Sequence, residues 1–112
     1  MPGADFDDDL RELREDYLAT LNETIETLEM HAKGLSESTR VKTSFPVLLY
    51  LTHQIKGTAG TLGFPGISEI ARDLATNLED FLSKEKPTVS REEISTSALE
   101  AVEKLKAAIA KD

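Results

Sequence analysis

His53, Lys56, Gly57 and Gly60 fall at offsets of zero, three, four and seven within HQIKGTAGTLG, the stretch from His53 to Gly63. On a helix that turns by about 100° per residue, these positions share one face. Imidazole is largely neutral at pH 7, and a neutral ring nitrogen has a lone pair that can attack an electrophile. An ammonium three residues later can offset negative charge delivered to the ring. Each glycine costs a helix about 1 kcal/mol relative to alanine. Two of them beside the histidine remove side chains where a bulky reactant would approach. Nucleophile, cation and cleared space together suit the carriage of a transient phosphoryl group.

The same geometry says which way the histidine faces. Leu48, Leu51, Ile55, Ala59 and Leu62 gather on the opposite side, with their centre about 160° from His53, and form the core stripe of that helix. Pro46, Leu49 and Tyr50 precede the histidine near its own side. They form an apolar rim on a face directed away from the core, a candidate docking surface. The plainer reading packs Leu49 and Tyr50 against the first helix or the polar segment before Phe45. His31, in MHAK, lacks comparable neighbours and is read as structural or solvated.

Other chemistries find little support. The chain has no cysteine, two histidines and no HExxH, so no metal site is expected. KGTAGTLG lacks the GxxxxGK[ST] pattern of a nucleotide loop, and no strand precedes it. The strand–turn–helix elbow of a serine hydrolase is also missing. A net charge of -8 and a pI of 4.7 disfavour nucleic acid and anionic membranes as partners. No apolar run approaches the roughly 20 residues needed to cross a membrane. MPGADFDDDL has neither the basic nor the apolar region of a signal peptide. A cytoplasmic location and a monomeric state are the resulting expectations.

Positioning these residues falls to helices. The chain has 112 residues, 39% of them hydrophobic, which suits one domain with one core, spanning residues 1–112. Apolar residues recur at steps of three and four, and strand-like alternation is absent. The spacing predicts helices over about 7–33, 45–62, 67–83 and 90–110. Asp7, Asp8 and Asp9 suit the positive end of the first, and Gly34 its stop. Gly34 to Ser44 reads as mostly loop, and Pro46 sits in the first turn of the second helix. FPG, from Phe64 to Gly66, breaks the chain before the third helix, and Pro87 ends that helix firmly. Ser90 and Glu93 form a capping box at the fourth. Gly63 reads equally as a helix terminator or as part of the site. Four amphipathic helices with mostly short links predict an all-α, antiparallel up-down four-helix bundle.

At this point HQIKGTAGTLG resembles the signature of histidine-containing phosphotransfer (HPt) domains. The match runs through His53, Lys56, Gly57, Gly60 and Gly63, with further apolar agreement at Ile67, Ala71 and Leu74. The resemblance implies a relay module of two-component signalling. His53 would accept a phosphoryl group and exchange it with an aspartate of a response-regulator receiver domain. Lys56 would be the phosphate-side cation, and Gly57 and Gly60 the clearance positions. A histidine kinase or hybrid kinase would be a further partner. The chain itself would bind no cofactor and have no kinase activity of its own; Mg²⁺ would belong to the receiver. One departure stands out. Many members place Glu or Gln right after the leucine matching Leu74, where it can orient the imidazole; this chain has Ala75. Asn77 and Glu79 are close in sequence, but nothing in the sequence places either beside His53. Ala75 keeps open the alternative of a non-catalytic helical interaction module that docks a receiver or kinase domain without phosphotransfer.

Overall fold

The computed structural model describes residues 2–83 and 90–111, with side chains from residue 8 onward. It contains α1 (Pro2–Gly34), α2 (Val41–Thr61), α3 (Pro65–Ser83) and α4 (Arg91–Lys111). Each helix packs against its neighbours in chain order, and α4 closes back onto α1. The result is an antiparallel up-down four-helix bundle. Its axis is filled by the apolar stripes: Leu21, Ile25 and Leu28 from α1, Leu48 and Ile55 from α2, Ile67, Leu74 and Leu78 from α3, and Ile94, Val102 and Leu105 from α4. Full burial of a leucine or isoleucine contributes about 1.5–3 kcal/mol, so this shared core is what holds the helices in register.

Three helices begin earlier than their apolar patterns suggest; α3 does so by two residues, at Pro65, so that of the Phe64–Gly66 break only Phe64 lies outside the helix. α2 starts at Val41, which shortens the loop read over Gly34–Ser44. Pro46 is therefore inside the helix, on its solvent side, and not in the first turn. The polar run Lys42–Thr43–Ser44 hides this turn from a hydrophobicity pattern. Tertiary contacts hold it: Val41 packs on the core, and buried Ser44 hydrogen-bonds His31 Nδ1 through its hydroxyl at 3.1 Å. Arg40 ties the preceding turn back to α1, donating to Glu37 and to the Met30 carbonyl, each at 3.0 Å. α1 starts at Pro2, so the aspartates assigned to its first turn lie in its second. Its 33 residues make a rod of about 50 Å, against about 32 Å for α2, which accounts for a molecule 58 Å long. The stop assigned to Pro87 lies outside the described residues. At α4, the Ser90 hydroxyl accepts the Glu93 amide at 3.1 Å, as an N-cap should.

The α2–α3 turn sets where the site ends. Gly63 has φ of +85°, in the left-handed region that glycine tolerates best. The Phe64 amide reaches back to the Ala59 carbonyl at 2.8 Å, and the Gly63 amide to Gly60 at 3.4 Å, the bond pattern of a Schellman cap. Buried Phe64 then stacks on Tyr17 with ring centroids 6.1 Å apart. The Arg14 guanidinium lies 4.6 Å from the centre of the Phe64 ring. The turn is thus clamped onto α1. Gly63→Ala is expected to cost about 1–2 kcal/mol, because its Cβ is strained at this φ. A lowered midpoint in thermal unfolding followed by circular dichroism is the check.

Candidate functional site

The rotation of α2 about its axis is fixed by what it buries. Leu48, Ile55 and Ala59 enter the core, and so does Thr52, immediately before the histidine. A buried hydroxyl needs a partner, and Thr52 Oγ1 donates to the Leu48 carbonyl one turn back. With these four residues turned inward, His53 points to solvent from mid-helix, its side chain 47% exposed.

Around the ring, Lys56 lies one turn on, partly buried, and makes no ion pair among the described residues. Its carbonyl accepts the Ser68 hydroxyl at 2.8 Å, which pins this part of α2 to α3. The two glycines beside the histidine differ. A Cβ added at Gly57 would meet nothing within 4 Å, so no packing within this chain requires glycine there. A Cβ at Gly60 would lie 3.3 Å from Ser68 Oγ. Gly60 therefore also serves the close approach of α2 to α3, and only at Gly57 is the flank of the ring wholly bare.

The structure brings a further residue to the histidine. His53 Nε2 donates to Glu79 Oε1 at 2.6 Å, across from α2 to α3. Both side chains lean toward the N-terminus of their own helix. In an antiparallel pair those directions converge, so Glu79 reaches the ring tip from one turn beyond Ala75. Ala75 itself is buried and carries only a methyl group, with no polar atom to offer the ring. The sequence places Glu79 one helical turn from Ala75, on the same face, and that spacing is the one signal that could have marked it.

The docking rim is only partly as read. Tyr50 is 66% exposed and Pro46 is exposed, but Leu49 is half-buried and packs against the core. Leu49 lies on the side of α2 that turns toward α3, about 40° from His53, the side on which Gly60 meets Ser68. Leu82 near the end of α3 is exposed as well, close to the level at which Phe45 and Phe81 stack with centroids 5.4 Å apart. His31, half-buried and bonded to Ser44, belongs to the α1–α2 packing.

The family profile of the Hpt domain matches residues 12–111. The chain is an Hpt domain. No curated protein and no solved structure matches it significantly. Hpt domains serve as histidine phosphotransfer intermediates in phosphorelays, lack kinase activity, and work with the receiver and kinase domains of two-component systems. No helix among the described residues of this Hpt domain is long and apolar enough to cross a membrane.

Proposed function

We propose that this Hpt domain carries its phosphoryl group on His53 and exchanges it with the aspartate of a response-regulator receiver domain. A lone pair of the imidazole attacks phosphorus. The bond from phosphorus to the aspartyl oxygen breaks, and the carboxylate leaves with the electron pair; the reverse reaction passes the group on. Phosphoryl transfer depends mainly on positioning and charge compensation. An exposed site is sufficient when the receiver contributes the acidic pocket and its Mg²⁺. Lys56 compensates charge on the phosphoryl oxygens, Gly57 and Gly60 admit the receiver, and Pro46, Leu49 and Tyr50 dock it. A histidine kinase or hybrid kinase supplies the group at the head of the relay, in the cytoplasm, to a monomeric bundle.

The observation that carries this reading is the half-exposed His53 ring beside the open flank at Gly57. It is tested by mixing the protein with a phosphorylated receiver and Mg²⁺. The expected product is an acid-labile phosphate on this chain, absent from His53→Gln. Lys56→Ala should slow the initial transfer rate by about tenfold, less than a buried oxyanion donor would, because the site is solvated. Thermal unfolding should barely change, since the bond to Ser68 uses the Lys56 backbone.

A docking module without chemistry is the second reading, favoured by Glu79 on the ring tip where the sequence has Ala75. It requires receiver binding that ignores phosphorylation, with no phosphate on His53.

A further inference from the structure

Resting on the relay reading of His53, we propose that Glu79 is a brake on this site: it holds the ring nitrogen that must attack, and then repels the group that arrives there.

The argument begins with the ring. A carboxylate accepts hydrogen bonds and does not donate them, so the 2.6 Å contact places a proton on Nε2. A protonated Nε2 has no in-plane lone pair. In the neutral ring the lone pair is then on Nδ1, which is bonded to Cγ and so lies closer to the helix backbone. Nε2 is at the far edge of a half-exposed ring, where an aspartyl phosphate on another protein can reach in line. Attack from Nε2 therefore requires the Glu79 contact to open and the proton to move through water to Nδ1. The phosphoryl group that follows occupies space close to the Glu79 carboxylate. Both are negative, and Lys56 is the cation three residues away on the same helix. Glu79 is itself 53% exposed, so it can swing into solvent, and the brake is partial.

The consequence is a histidine that loads slowly when free and holds its phosphate weakly. A partner whose docking draws Glu79 aside would release both effects. Glu79 thus acts through His53 as a positioning residue, one that favours the unloaded state.

Phosphoramidate tests this without a partner. Nε2 forms the new bond to phosphorus, the phosphorus–nitrogen bond of the reagent breaks, and ammonia leaves with the electron pair. Formation and decay of phospho-His53 are followed through its ring signals in proton–nitrogen correlation spectra, which also report the nitrogen modified. Glu79→Ala is expected to load about two- to fivefold faster than wild type and to keep its phosphate correspondingly longer, the scale of a half-exposed polar contact. Asp80→Ala removes the same charge from the neighbouring position of α3 and should leave both rates near wild type. Equal rates for wild type and Glu79→Ala would overturn the brake, as would slower loading of the variant, or an equal gain in Asp80→Ala. Phosphate found on Nδ1 in wild type would overturn it too, because Glu79 would then be aligning the reactive nitrogen. Labelling by a phosphorylated receiver that survives His53→Gln defeats the relay reading instead, so the two failures are distinguishable.

Discussion

His53→Gln is expected to eliminate phosphoryl labelling by a phosphorylated receiver while leaving the bundle folded. Glutamine's amide nitrogen is not nucleophilic, so the loss should be complete. The cost in stability should be small. The His53 side chain is half-exposed and has one polar contact, to the half-exposed Glu79. Pairs of that kind contribute about 0–1 kcal/mol, and glutamine is the better helix former. Thermal unfolding should stay within a few degrees of wild type, while autoradiography or phosphorus NMR shows no phosphohistidine. The other histidine offers the counter-test. His31→Gln disturbs the contact with buried Ser44 and should lower stability, yet it should keep full labelling. A His53→Gln protein that labels like wild type would remove His53 from the reaction.

Gly57→Gln should separate stability from transfer in opposite directions. Gly57 lies within α2, has no left-handed φ, and leaves open space where a Cβ would be. Nothing in the folded chain resists a Cβ there, and the unfolded chain loses freedom when glycine is replaced. The variant should be more stable by about 0.5–1 kcal/mol, read as a higher denaturant midpoint at unchanged slope. Transfer should fall by at least about tenfold, because a bulky side chain one turn from the ring displaces the incoming phosphate, and small errors in reactant placement cost up to about a hundredfold. Gly57→Ala should give the same gain in stability with a smaller loss of rate. The trade of stability for access is the form expected of a residue kept for its site. Gly60→Ala is the contrast, since its Cβ presses on Ser68 and offsets part of the helix gain. Unaltered transfer in Gly57→Gln would leave the clearance role without support.

Helix number, helix type and the outward direction of His53 were legible from residue spacing, because burial follows the 3.6-residue period closely along a helix. The early start of α2 was not. Lys42, Thr43 and Ser44 have no apolar pattern, and what makes them helical is burial of Ser44 beneath His31, a contact between segments. The equivalence of Gly57 and Gly60 was likewise a one-helix inference, undone when α3 placed Ser68 against Gly60 alone.

The sequence by itself determined an all-α bundle presenting one histidine, with a lysine and missing side chains on the same face, since these depend only on positions along one helix. Tertiary structure alone decided the partner of the ring. Glu79 reaches Nε2 because two antiparallel helices tilt their side chains toward each other, and the register of that pair is set by the packed core, which no single segment encodes.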